Sequence, residues 1–176
     1  MPAFRVYINS TGCMLLQSSQ VPPGGAEELL IINLIYQGRY AEAYLLLKTE
    51  TPQRPAGMFN LALCFYWLGS YRETLVCLDK ARMLMPIDQG GMSLNSDNFY
   101  KAIREKQNLA DEYKLPLTSK YIALFTELAK DNITRIKTDC WLQLEVYQKV
   151  IEIATPIAHK NYKNIDDALQ IAKERI

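Results

Sequence analysis

Only one histidine and four cysteines in these 176 residues have the intrinsic chemistry of a neutral-pH base or a soft metal ligand. Cys13, Cys64, Cys77 and Cys140 lie far apart, and no two show the short gap with which a structural zinc site pairs its ligands. Cys64 and Cys77 stand in apolar runs and read as small core hydrophobes. Unpaired thiols of this kind suit a reducing compartment. His159 follows Pro156 and adjoins Lys160 and Asn161, the setting of a surface imidazole rather than a general base. A serine or cysteine nucleophile needs a base within hydrogen-bond reach, and a single histidine offers almost no such combination. An enzyme would need a polar pocket joining His159 to a carboxylate. Asp166-Asp167 and Glu27-Glu28 are better placed as first-turn helix charges than as metal ligands, since no calcium-loop pattern surrounds them. Gly24-Gly25 lacks the lysine and spacing of a phosphate loop. The sequence therefore predicts no catalysis, no metal and no cofactor.

Charge narrows the partners further. Twenty basic and nineteen acidic residues leave a net charge of +1. The balance is also local, with no polybasic arm and no acidic tail, so neither nucleic acid nor an anionic membrane is an expected partner. Apolar residues at 49% and charged residues at 22% are ordinary for one folded domain spanning 1–176. Residues 1–10 show no basic leader followed by an apolar stretch. The apolar runs fall short of the ~20 residues that a membrane helix needs. The expectation is a soluble, cytoplasmic protein.

The elements that would position any site are announced by repetition. Gly38-Arg39-Tyr40-Ala41-Glu42-Ala43 and Gly69-Ser70-Tyr71-Arg72-Glu73-Thr74 are 31 residues apart, and at the same offset Leu30 matches Leu61, Leu34 matches Phe65, Leu47 matches Leu78 and Pro55 matches Pro86. Each unit reads as two helices. In the second, Phe59, Ala62, Phe65 and Tyr66 form an apolar face ending at Gly69, a residue suited to a left-handed stop. Ser70 then offers an N-cap with Glu73 completing a capping box, and Leu75, Leu78, Ala81 and Leu84 continue to Pro86. The first unit predicts helices near 26–37 and 40–50 around Gly38.

These residues carry a family resemblance. Asn60-Leu61-Ala62, Phe65-Tyr66, Leu68-Gly69, Tyr71, Glu73, Leu75, Leu78, Ala81 and Pro86 stand where a tetratricopeptide repeat has its signature residues, so residues 57–86 resemble that motif. Thr74 departs from the small residue expected there. Residues 26–55 resemble it with two departures, Ile31 and Glu50. The resemblance implies an all-α superhelix of antiparallel helix pairs.

Beyond a Gly90-Gly91 loop the pattern is irregular. Ser96 is expected to cap a helix carrying Phe99, Ile103, Ala110 and Tyr113, closed by Pro116. A second helix carries Tyr121, Leu124, Phe125, Leu128 and Ala129. A longer one runs from near Ile133 through Cys140, Leu144, Tyr147 and Ile151 to Ala154, and a last one spans 164–175 with Asn164 as its cap. These C-terminal helices, 96–176, continue or cap the stack. Residues 1–17 read either as a tail or as a short N-terminal hairpin, with Phe4–Ile8 and Cys13–Leu16 around Asn9–Gly12.

In the resembled family the first helix of each pair lines a groove. Carried over, that places Phe59, Leu63, Tyr66 and Trp67 of the second unit, and Glu28, Ile32, Ile35 and Tyr36 of the first, on one apolar and aromatic face. The function implied is non-catalytic binding of a protein helix or extended peptide, as an adaptor, scaffold or chaperone-like module. Small type III secretion chaperones with such repeats are a minor variant of this reading. The clamp of inward lysines, arginines and asparagines that grips acidic chaperone tails is rejected, because around Asn60 the counterparts are apolar. Two alternatives compete with peptide binding. The same face builds a homodimer, or the protein fills its own groove with its hairpin or a C-terminal helix. On the binding reading, Trp67→Ala weakens partner binding at least tenfold while leaving the helical circular dichroism intact. A Trp67→Ala protein that loses its fold would instead make Trp67 part of the core.

Overall fold

The repeated glycines do what their spacing predicts. The computed structural model describes residues 25–49, 54–86 and 98–176. Helices α1 (Gly25–Tyr36) and α2 (Tyr40–Thr49) form one antiparallel pair, and α3 (Pro55–Trp67) and α4 (Tyr71–Met83) a second. Gly38 and Gly69 turn the chain between partners at φ of 72° and 75°, values open to glycine without steric cost. Each turn closes with the same two bonds. Gly38 N–H donates to the Ile35 carbonyl and Arg39 N–H to that of Leu34, while Gly69 donates to Tyr66 and Ser70 to Phe65. These bonds satisfy carbonyls that the end of a helix leaves bare. The Ser70 side chain makes no cap, contrary to the expected capping box; the Thr74 hydroxyl donates to the Ser70 carbonyl instead.

A third turn of the same geometry lies where the sequence predicts a single long helix. Helix α7 (Thr126–Gln143) stops, Glu145 sits at φ 57°, and α8 (Tyr147–Ala154) departs. Glu145 N–H donates to the Leu142 carbonyl and Val146 N–H to that of Trp141, the same bonds as at Gly38 and Gly69. Seventy-six residues separate Gly69 from Glu145, and at that offset Cys64 matches Cys140, Leu68 matches Leu144 and Tyr71 matches Tyr147. The third helix pair thus carries glutamate where the others carry glycine, which hides it from a search for glycine-marked repeats.

Other boundaries also move. Helix α5 (Asn98–Asn108) ends before Ala110 and Tyr113, and a single 3-10 turn at Glu112–Lys114 carries the buried Tyr113. The helix expected over 121–129 breaks at Phe125, between α6 (Ser119–Leu124) and α7. Helix α9 (Lys163–Glu174) is capped by Tyr162 rather than Asn164. The hairpin read over 4–16 lies outside the described residues, as do Cys13 and Ser96.

Packing proceeds along the chain: α2 on α3, α4 on α7, α8 on α9, with first helices meeting at α1–α3 and α7–α9. Fully buried Ala43, Ala62 and Ala81 let helix backbones approach closely, and Phe59, Leu63, Leu78, Ile133 and Ile136 fill the space between them. Two smaller clusters lie under α8 and α9, one with Ala154 and Ile165 and the other with Val150, Ala168 and Ala172. The described residues are helical, with no strand among them, and no helix there is long and apolar enough to cross a membrane.

The left-handed turns give opposite expectations. A Cβ at Gly69 meets nothing within 4 Å, so Gly69→Ala costs only backbone strain, about 1 kcal/mol. Glu145→Gly relieves the same strain and stabilises by up to about 1 kcal/mol, the looser unfolded chain offsetting part of the gain. Urea titrations of the two variants should move in opposite directions from wild type. A shift in the same direction would show that φ does not set the stability of these turns.

Candidate functional site: the first-helix face

Residues 109–125 cross the face formed by the first helices. An extended strand of backbone laid on an apolar helix surface carries donors and acceptors that the surface cannot satisfy. Asn60 solves this at the centre. Its Nδ2 donates to the Leu117 carbonyl and its Oδ1 accepts from the Leu117 N–H, both at 2.9 Å and both buried. Glu28 holds the next stretch, accepting from Ser119 N–H at 2.7 Å and Ser119 Oγ at 2.6 Å. Thr118 Oγ1 accepts from Tyr121 N–H and caps α6. Leu117, Ile122 and Tyr113 then enter the same core as Phe59 and Leu63.

This strap corrects the expected groove. Phe59 and Leu63 have no exposed surface, and Ile32 and Ile35 are buried at 7% and 4% exposure, so these four are interior residues rather than a docking surface. Tyr66 is half-buried. Trp67 and Tyr36 stay 48% and 59% exposed at the turn end of the pairs, where Trp67 stacks on Tyr40 with ring centroids 5.9 Å apart. Tyr113, Leu117 and Ile122 of the chain itself pack in the same core as Phe59 and Leu63.

Where the strap leaves the face, a cleft of about 480 Å³ remains. Tyr66 of α3, Arg135, Asp139 and Gln143 of α7, and Lys163, Asn164 and Asp167 of α9 wall it, with Ala110, Tyr113 and Lys114 of the strap opposite. In the register of the third pair, Arg135, Asp139 and Gln143 occupy the positions of Phe59, Leu63 and Trp67. The same face is apolar where it meets Leu117 and Ile122 and polar where it meets Ala110, Tyr113 and Lys114.

Asp139 is the hub. Its Oδ2 accepts from Tyr113 OH at 2.5 Å and from Tyr66 OH at 3.3 Å, its Oδ1 accepts from Asn164 Nδ2 at 3.0 Å, and Lys114 Nζ lies 3.5 Å away. One turn earlier, Arg135 is 4% exposed and its guanidinium stacks on the rings of Tyr113 and Tyr162, 3.9 Å and 4.5 Å from their centroids. Its Nε donates to Asn164 Oδ1 at 2.7 Å, and Nη2 donates to the Ala110 and Asn108 carbonyls. One turn earlier again, buried Asp131 binds Lys160 Nζ through both oxygens at 2.7 Å and accepts from Tyr162 OH at 2.7 Å. Asp131, Arg135 and Asp139 form one polar stripe down α7. Burial, followed by the negative Asp139, pushes the Tyr113 and Tyr66 phenols well above their ordinary range. Burial and the Asp131 hydrogen bond do the same for Tyr162. Burial draws Arg135 downward.

The residues first considered for chemistry lie elsewhere. His159 is exposed on the 3-10 segment Thr155–Lys160 and does not line the cleft. Asp167 does line it, paired with Lys163 at 2.6 Å. Cys64, Cys77 and Cys140 are free and buried, and burial pushes the Cys64 and Cys140 thiols up to about 12. No group of three or more metal-ligating side chains occurs among the described residues. No protein-family model, curated protein or solved structure matches this chain.

The phenols and thiols set the alkaline limit of stability. Their folded pKa values lie above the unfolded values of 10.0 and 9.0, so the folded protein retains protons that the unfolded chain releases. Their contribution is complete below about pH 9 and is lost as pH rises beyond it. In an alkaline titration, tyrosinate absorbance from Tyr66, Tyr113 and Tyr162 should rise together with the loss of helical circular dichroism. Ionisation of all three in a still-helical protein would contradict this.

Proposed function

We propose that the chain is a non-catalytic protein-interaction module built from tetratricopeptide-like helix pairs, acting as an adaptor or chaperone-like scaffold. One observation carries the reading: the first-helix face already holds a short extended segment, residues 115–118, pinned through the main chain of Leu117 by Asn60. A face that binds backbone in this way suits a second segment laid in continuation, and the cleft at α3, α7 and α9 is the open length of it. Exposed Trp67 and Tyr36 offer the aromatic surface from which interface hot spots are drawn. The free buried thiols support a cytoplasmic setting.

A second reading, self-association, draws on the same turn end. Trp67 and Leu68, 48% and 66% exposed, lie at the end of α3 as Tyr36 lies at the end of α1, and in a homodimer they would be covered by their counterparts. Sedimentation across a concentration series separates that state from a monomer with a foreign partner.

The test is site-specific photo-crosslinking in source cells. A benzophenone side chain at Gln143, on the cleft wall, should give a defined adduct with another polypeptide, and one at exposed Glu152 on α8 should not. Equal labelling from both sites, or none from Gln143, would remove the cleft as the interaction surface.

A further inference from the structure

The charges around the cleft balance in number but not in place. Arg135, although 4% exposed, makes no ion pair among the described residues: its partners there are an amide oxygen, two backbone carbonyls and two aromatic rings. Its Nη1 has no hydrogen-bond partner among the described residues. The carboxylate that acts on it through space is Asp139, itself taken up by two phenols and an amide, so a further anion would lower the cost of burying the guanidinium.

Lys114 is the second open cation. Its side chain is 17% exposed, it sits 5.0 Å from the Tyr113 ring and 5.7 Å from that of Tyr66, and its two carboxylate contacts are long, 3.4 Å to Asp111 and 3.5 Å to Asp139. A charge-assisted pair in good geometry closes to about 2.8 Å, so neither contact is fully made. The third feature is the start of α9. Its cap residue, Tyr162, provides no side-chain hydrogen bond, and the N–H groups of Lys163 and Asn164 have no partner among the described residues. The positive end of a 12-residue helix therefore forms part of the cleft wall.

Three carboxylates share the cleft, and each is accounted for. Asp139 already accepts from two phenols and an amide, Asp167 is paired with exposed Lys163, and Asp111 is 78% exposed at the mouth, where solvent screens it. The three cations and three carboxylates balance in number, but with Asp167 held by Lys163 and Asp111 at the mouth, Asp139 is the carboxylate left beside the two cations of the floor, Arg135 and Lys114.

We propose that the cleft binds the carboxylate of an acidic side chain, a glutamate or aspartate of a bound polypeptide, on Arg135, Lys114 and the free amides of α9. This rests on the interaction-module reading and adds the chemistry of the partner. The depth of the two cations favours a side chain over a chain end: a flexible arm reaches the floor while its main chain stays on the rim. The donors come from the strap, from α7 and from a helix terminus.

The probes are short peptides, N-acetylated and C-amidated Ala-Leu-Glu-Leu-Ala, its Gln counterpart, and a neutral peptide with a free C-terminus. Binding is followed through the NMR signals of the Lys163 and Asn164 amides and the Arg135 Nε–H. The Glu peptide should shift these signals and bind at least tenfold more tightly than the Gln peptide, and Lys114→Gln should weaken it at least fivefold with unchanged circular dichroism. Equal binding of Glu and Gln peptides overturns the carboxylate and leaves the cleft as a peptide site. Tighter binding of the free terminus overturns the side-chain source. No shift with any probe overturns the proposal outright, while the Gln143 crosslink decides separately whether the cleft meets a partner. Should Lys114→Gln fail to fold, the Glu-to-Gln comparison on the wild-type protein still decides between a bound carboxylate and a neutral amide.

Discussion

The two hydrogen bonds between the Asn60 amide and the main chain of Leu117 are the constraint on which the rest depends. Each buried backbone group left unsatisfied costs about 1–3 kcal/mol. An extended segment could therefore not lie on Phe59 and Leu63 without a side chain that both donates and accepts. Asparagine is short enough to be buried on α3 and has both functions. Once Leu117 is fixed, Ser119 falls to Glu28, Ile122 enters the core, and Tyr113 is set against Arg135. The cleft wall follows from the same placement.

The three helix pairs share their turn and differ in their face. Apolar Phe59 and Leu63 share a core with Leu117 and Ile122 of the strap; Arg135 and Asp139, in the same register, meet its carbonyls and the Tyr113 phenol instead. A polar stripe in a helix otherwise built on Ile133, Ile136 and Cys140 is stable only because each member is bonded across to another element. Asp131 reaches Lys160 and Tyr162, Arg135 reaches Asn164 and the strap carbonyls, and Asp139 reaches Tyr113 and Tyr66. These links tie α9 and the strap to α7 more specifically than apolar contact would.

The front pairs were legible because glycine at a left-handed position is nearly obligatory, so Gly38 and Gly69 mark their turns in plain sequence. The third turn was not, because Glu145 adopts the same conformation at a cost that tertiary packing offsets. Tyr147 and Cys140, in step with Tyr71 and Cys64, were the available signal. The strap escaped notice because nothing local identifies it: Asn60 and Leu117 are 57 residues apart, and an asparagine in a helix has many uses. The polar cleft was signalled only by Asp131, Arg135 and Asp139, spaced four apart, a pattern that ordinarily marks a solvated helix side. Burial, which inverts its meaning, is not written in the spacing.

The reach of the strap also orders events during synthesis. The partner of Asn60 is made 57 residues later and that of Glu28 91 residues later. At about 5–20 residues per second the ribosome leaves α3 complete for several seconds before Leu117 emerges. Throughout that interval Phe59 and Leu63 lack the part of their cover that Leu117 and Ile122 supply. The front half thus reaches its final packing only when its own later sequence arrives to close it.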